Sequence, residues 1–340
     1  MHGAVIHAPG DIRYEQRDDP RIEQPTDAII RLAATCVCGS DLWDYRGVNQ
    51  VHRPTPIGHE YVGVVEQIGD AVTNVNVGDF VVGSFMASDN TCEICQAGYQ
   101  SRCAHVEFAG AGGAQSELLR VPLADGTLVA TPGMPEPELI PSLLAASDVL
   151  GTGWFGAVAA EAGPGKTVAV VGDGAVGLLA VLAAEQLGAD RIIAMSRHEP
   201  RQKLAREFGA TDIVTERGDA GVAKIKELTG GYGAHSVIEA VGTQEAMMQA
   251  IRSTRAGGHV GYVGVSHGVS LDGQELFYSG VHLHGGPAPV RRFLPDLIDR
   301  IWRRDIDPGK VFDLTLPLSR VADAYQAMDE RRAIKALLQP

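Results

Sequence analysis

Basic residues are scarce in this 340-residue chain: 29 lysines and arginines stand against 42 aspartates and glutamates, a formal net charge of −13. That balance excludes the basic surface a nucleic-acid partner needs, because phosphate contacts are made by lysine and arginine. No apolar run reaches membrane-spanning length, so no membrane partner is expected. The opening MHGAVIHAPGDIRYE lacks a basic stretch followed by an apolar one, so no secretory leader is expected and the cytoplasm is the default compartment. Cysteines number five, an odd count with three crowded together, which argues against a disulfide framework and for thiols and metal ligands. Internal repeats and low-complexity linkers are missing too.

What remains is an ordinary globular composition, 45% hydrophobic and 21% charged. A chain of 340 residues exceeds the size at which single cores stop growing, so two domains are expected. Up to about residue 147 short β-type runs (AIIRLAAT, YVGVVEQIG, DFVVGSFM, QSELLRVP) are broken by Gly, Pro and Asp, the texture of a mostly β domain. From Lys166 the sequence TVAVVGDGAVGLLAVLAAEQLGADRIIAMSR reads as strand, Gly-rich turn, long helix and second strand. Strand-like and helix-like runs keep alternating as far as VHLHGG, which predicts a doubly wound parallel sheet. After Pro287 two helices are expected around FLPDLIDRIW and RVADAYQAM, then a closing strand KALLQ.

Gly172, Gly174 and Gly177 form GxGxxG between a buried strand and a helix. The first glycine allows the tight turn, the second lets the backbone approach a pyrophosphate, and the third lets helix pack on strand. Dinucleotide binding is therefore expected, with phosphates facing the helix N-terminus. An NAD site wants a carboxylate roughly 20 residues onward to hold the adenine ribose. Here Ser196 stands in that place, followed by Arg197, His198 and Arg201. A carboxylate would repel a 2′-phosphate, whereas hydroxyl and guanidinium donate to one, so NADP is expected over NAD.

In CVCGSDLWDYRG and PIGHEYVGVV, Cys38 and His59 are a thiol and an imidazole suited to zinc. In DNTCEICQAGYQSRC, Cys92, Cys95 and Cys103 are three thiols where a closed zinc site wants four ligands.

Cys38-Gly39-Ser40-Asp41, Gly58-His59-Glu60, the thiol cluster and the GDGAVG turn occur in the order found in zinc-dependent medium-chain alcohol dehydrogenases, which the whole chain resembles. The resemblance implies a GroES-like catalytic domain, residues 1–149 with 286–340, and a Rossmann domain, residues 150–285. It implies a catalytic zinc held by Cys38, His59 and Asp148, with Glu60 as a carboxylate able to approach the metal transiently and Asp41 orienting His59. It also implies a structural zinc on Cys92, Cys95, Cys103 and, in the first cysteine's place, Asp89, whose carboxylate is a competent if harder ligand. Cys36 fits neither set and reads as a buried small hydrophobe.

Three protein ligands leave a fourth place for substrate, whose hydroxyl is acidified before hydride passes to the nicotinamide. Ser40 matches the family's proton-relay hydroxyl, while Trp43 stands where many members place a relay histidine; Trp43, Tyr45 and Arg46 are candidate pocket residues. Thr152, Val176, Val263 and Val265 match nicotinamide contacts, and Lys335 matches a basic residue that reaches the pyrophosphate. The implied activity is hydride transfer between NADP(H) and an alcohol or carbonyl, by an alcohol dehydrogenase or carbonyl reductase acting as homodimer or homotetramer. Two alternatives stay open: a zinc-independent quinone or enone reductase of the same fold, and a non-catalytic NADPH-binding redox sensor.

Overall fold

The computed structural model describes residues 1–340, apart from the side chain of residue 111. Residues Met1–Gly151 together with Pro289–Pro340 form one compact unit, and Thr152–Ala288 form another. No single helix among the described residues is long and apolar enough to cross a membrane.

The first unit is built mainly on antiparallel strands, with Phe312–Pro317 and Lys335–Gln339 running parallel. Its larger sheet runs in the order Leu128–Ala130, Phe80–Gly83, Tyr61–Ile68, Ala28–Cys36, Lys335–Gln339, Phe312–Pro317, with Leu118–Val121 also paired to Ala28–Cys36. A smaller sheet sets His2–Ala8 between Asp11–Gln16 and Thr55–Pro56. The C-terminal segment returns to this unit because its apolar residues need a partner. Helix Val290–Trp302 buries Val290, Leu294, Leu297, Ile298 and Ile301, one face at helical spacing. Helix Val321–Asp329 buries Val321, Ala324, Tyr325, Ala327 and Met328. Strand Lys335–Gln339 then pairs antiparallel with Ala28–Cys36, Leu337 opposite Cys36.

This sheet sets up the first site by its strand ends. Cys38 follows the strand Ala28–Cys36, His59 and Glu60 precede Tyr61–Ile68, and Asp148 ends the turn after helix Ile140–Ala146. Two neighbouring strand ends and one helix end thus deliver ligating residues that are far apart in sequence.

The second unit is a parallel sheet in the order Asp212–Val214, Arg191–Met195, Thr167–Val171, Ala234–Glu239, Thr254–Tyr262, His282–Gly285. Counted within the unit that is 3-2-1-4-5-6, the doubly wound Rossmann order with its reversal beside the first strand. Central strands such as TVAVV and RIIAM are buried along their length, as parallel strands covered on both faces must be. Helix Ala175–Gln186 supplies that cover with eight buried residues from Gly177 to Ala184. The expected fold class, a mostly β GroES-like part plus a Rossmann sheet, is the one observed.

Candidate metal centres and dinucleotide site

Cys38, His59, Glu60 and Asp148 are all buried, and one ligand atom from each lies within 4.8 Å of the others. His59 Nε2 stands 3.2 Å from Asp148 Oδ2, and Cys38 Sγ stands 3.8 Å from the same oxygen. Ligands about 2.0–2.3 Å from a tetrahedral zinc stand roughly 3.3–3.8 Å apart, so this thiol, imidazole and carboxylate fit the ion.

Asp41 organises two of them at once. Its Oδ1 faces His59 Nδ1 at 3.2 Å, while Oδ2 accepts the Cys38 backbone N–H at 2.9 Å and Gln115 Nε2 at 3.2 Å. A donor role for Nδ1 leaves Nε2 free to ligate. Gln115 also donates to the Cys36 carbonyl at 3.0 Å, and its Oε1 lies 3.1 Å from the Tyr325 hydroxyl. Neither Gln115 nor Tyr325 is signalled by the sequence, because only tertiary approach makes them neighbours of Asp41.

Burial pushes the Cys38 thiol up, and Glu60 adds to it. Burial alone would lower His59, but Asp41, Cys38 and Asp148 outweigh it and hold the imidazole well above its ordinary range. The Cys36 thiol, also fully buried, is raised well above its usual value by desolvation first and by the neighbouring Glu60 carboxylate second.

Lys335 is a correction. Expected at the cofactor pyrophosphate, it is only 1% exposed, and its ammonium donates to Glu60 Oε1 at 2.6 Å and to the Val37 carbonyl at 3.1 Å. The sheet register causes this, because Lys335 heads the strand laid beside Ala28–Cys36 and so enters the core next to Val37. Desolvation pulls the ammonium down, yet Cys36, Glu60 and Cys38 hold it well above its usual range.

Ser40 is half-buried at the N-cap of helix Asp41–Tyr45. Of the candidate pocket residues, Trp43 is half-buried, while the Tyr45 ring packs on Tyr325 at 5.4 Å and Arg46 pairs with Asp329 at 2.6 Å. Packing and ion pairing thus account for Tyr45 and Arg46.

The second cluster gathers ligand atoms of Asp89, Cys92, Cys95 and Cys103 within 4.8 Å. All five cysteines are free thiols. Cys92 Sγ and Cys103 Sγ stand 3.8 Å apart, too far for a disulfide and the spacing of two thiolates on one zinc. Asp89 Oδ1 accepts the N–H groups of Thr91 and Cys92 at 2.8 and 3.0 Å, and Oδ2 meets His105 Nδ1 at 2.6 Å. These bonds outweigh the effect of burial and hold the Asp89 carboxyl far below the ordinary carboxylate range. Backbone N–H groups of Ala104 and Cys95 bring Cys92 down to about 7, whereas burial drives Cys95 up. His105 is a partner that sequence reading missed.

In the second unit Gly172 has φ +125°, a conformation open to glycine. A Cβ on Gly177 would come within 2.1 Å of the Gly172 carbonyl, so helix and turn approach as only glycine permits. A Cβ on Gly174 would meet nothing within 4 Å, leaving clear backbone at the helix N-cap, the kind of position at which anions bind. Ser196 Oγ donates to Asp173 Oδ2 at 2.8 Å, and Arg201 Nη1 donates to the Asp173 carbonyl at 3.1 Å with Oδ1 at 3.4 Å. Arg217 Nη2 is 3.9 Å from the same carboxylate. Arg197 is exposed, and His198 Nε2 is buried with no partner among the described residues. Asp173 and Arg217 were not anticipated, although an acid inside GDG was visible in the sequence. Thr152 and Val263 are buried, Val176 is half-buried, and Val265 is 56% exposed with its carbonyl 2.8 Å from His267 Nδ1.

Residues 24–133 match the alcohol dehydrogenase GroES-like domain and residues 175–302 the zinc-binding dehydrogenase domain. A probable zinc-binding alcohol dehydrogenase of Mycobacterium tuberculosis is 35% identical over 336 residues, 96% of this chain and 84% of that protein. The chain belongs to the medium-chain dehydrogenase/reductase family. Within that family it resembles an NADP-dependent isopropanol dehydrogenase of Entamoeba histolytica, 30% identical over 346 residues and covering 98% and 93% of the two chains. The solved alcohol dehydrogenase TADH from Thermus sp. ATN1 superposes with a TM-score of 0.89 at 29% identity, covering 100% of this chain and 99% of that one. This medium-chain dehydrogenase is thus an oxidoreductase of the zinc-type alcohol dehydrogenases, acting on small molecules.

Proposed function

We propose that the protein transfers hydride between NADP(H) and a secondary alcohol–ketone pair or an aldehyde, at a zinc held by Cys38, His59 and Asp148. The observation that carries this reading is the convergence of those three donors, 3.2 and 3.8 Å apart, from three separate segments. Zinc, when bound, supplies a Lewis acid that brings a hydroxyl's pKa from about 16 toward about 7. Asp41 holds His59 in the tautomer that ligates through Nε2 and fixes the Cys38 backbone. Ser40, two residues from Cys38, takes up the substrate hydroxyl proton and passes it on. Thr152, Val176, Val263 and Val265 wall the nicotinamide. Asp89, Cys92, Cys95 and Cys103 hold a second zinc with no place for substrate, which ties down their loop.

Preference for NADP rests on a hydroxyl, not a carboxylate, at residue 196, with Arg197, His198, Arg201 and Arg217 around it. The Asp173 carboxylate occupies Ser196 and Arg201 in this structure, so a 2′-phosphate must win these donors against a like charge, with Arg197, Arg201 and Arg217 supplying the opposing attraction. The strand His282–Gly285 ends its sheet with an unpaired edge, and Phe277 and Tyr278 nearby in sequence are 78% and 76% exposed. An open edge, with exposed aromatics a few residues before it in sequence, suits pairing with a second copy, the basis for a homodimer or homotetramer. Free thiols suit a reducing compartment such as the cytoplasm.

The test is NADPH oxidation across aliphatic, aromatic and sugar-type carbonyls, comparing wild type with Asp148→Ala. Turnover confined to wild type supports the zinc reading. Equal turnover by Asp148→Ala would favour the zinc-independent reductase.

A further inference from the structure

Glu60 is fully buried, and its two oxygens have different surroundings. Oε1 is held at 2.6 Å by the Lys335 ammonium, while Oε2 has no hydrogen-bond partner. A buried carboxylate oxygen without a donor is costly, and here one is retained beside Cys38, His59 and Asp148, whose ligand atoms share a 4.8 Å cluster with a Glu60 oxygen. Four such donors are a complete zinc set, and a zinc with four protein ligands is a closed, structural centre. Some feature of the chain must keep the carboxylate off the metal for a substrate place to exist.

The geometry points to Lys335 as a positioning residue that restrains Glu60, so that a metal on Cys38, His59 and Asp148 keeps one coordination place free. Lys335 suits that task. Its ammonium is anchored a second time on the Val37 carbonyl at 3.1 Å, one residue before Cys38, and its backbone is fixed by pairing with Phe312 and by its N–H donating to Asp313 Oδ1 at 3.3 Å. The tether therefore pulls against a rigid point. A buried ion pair is weak grounds for stability, since a hydrophobic pair of the same volume does as well. Its position beside the metal donors gives it a separate reason to exist.

This inference rests on the zinc-centre reading, and a cobalt-loaded holoenzyme separates the two. Cobalt replaces zinc with a visible absorption band that shifts when an added ligand such as imidazole takes a free coordination place; the Asp89 lobe, with four protein ligands, contributes a constant background. Wild type should show a saturable shift. Lys335→Met should keep its cobalt but require at least tenfold more imidazole, because Glu60 now fills the place. Lys335→Met with Glu60→Gln should return within threefold of wild type, and Lys335→Arg should behave as wild type.

A wild-type protein that gives no imidazole shift would overturn the inference without any variant, since the place would be occupied despite Lys335. An unchanged imidazole midpoint in Lys335→Met would overturn it as well, as would a double variant no more open than the single. Cobalt content at the centre that His59→Ala does not reduce would instead sink the centre itself.

Discussion

Asp41→Asn is the sharpest probe of how the first centre is built. The carboxylate accepts on both sides: from His59 Nδ1 at 3.2 Å, and from Cys38 N–H and Gln115 Nε2 at 2.9 and 3.2 Å. An asparagine is nearly isosteric, but one of its two terminal atoms is a donor. With metal on His59 Nε2, Nδ1 must carry its proton, so an amide nitrogen facing it sets donor against donor. Flipping the amide sets that nitrogen against Cys38 N–H and Gln115 instead. Without metal, His59 can switch tautomer and accept from the amide, so the penalty falls on the metal-bound state. An unmet buried donor costs about 1–3 kcal/mol, which is roughly five- to 150-fold in affinity. Zinc affinity measured by competition with a chromogenic chelator should fall by that factor while the fold, followed by circular dichroism, persists. Affinity within threefold of wild type would refute the argument that Asp41 sets the imidazole tautomer.

Other consequences follow from the remaining sites. Ser196→Asp with Arg201→Ala should shift the ratio of NADPH to NADH dissociation constants toward NADH, by roughly tenfold or more, when both are titrated by fluorescence; an unchanged ratio removes these residues from cofactor choice. Ser40→Ala should lower kcat by about 10²-fold or more with zinc content intact, and near-normal turnover would take Ser40 out of the proton path. In metal-free protein, iodoacetamide should label Cys92 before the other cysteines. The thiolate is the reactive form, so the rate should climb as pH rises through about 7 and level off above it, and zinc should suppress it. Labelling that starts at Cys95 would contradict the lobe's electrostatics.

The fold class is legible in the sequence because its signals are local. TVAVV and RIIAM are apolar throughout, as strands covered on both faces are, and GDGAVG sits between strand and helix where a tight turn needs glycine. The helices Val290–Trp302 and Val321–Asp329 carry apolar residues at helical spacing and can be read the same way. The site is less legible, since Cys38 and Asp148 are 110 residues apart and only the packing of helix Ile140–Ala146 against the sheet brings their neighbourhoods together. Family resemblance named Cys38, His59 and Asp148; nothing local could name Gln115 or Tyr325. Lys335 shows the limit best. Its alignment to a phosphate-reaching residue ignores that it heads a buried strand, where an ammonium must find a carboxylate, and Glu60 is the one it finds. Asp173 is the reverse case, an acid in plain view whose partners Ser196, Arg201 and Arg217 come from later segments of the chain.

Zinc at Cys38, His59 and Asp148 should be required for NADPH-linked turnover. Removing metal by dialysis against a strong chelator, then restoring zinc while following both metal content and NADPH oxidation with an active carbonyl, tests it directly. Activity should disappear with the metal, return with zinc, and fail to return in Asp148→Ala. Full turnover by protein shown to hold no metal would contradict it.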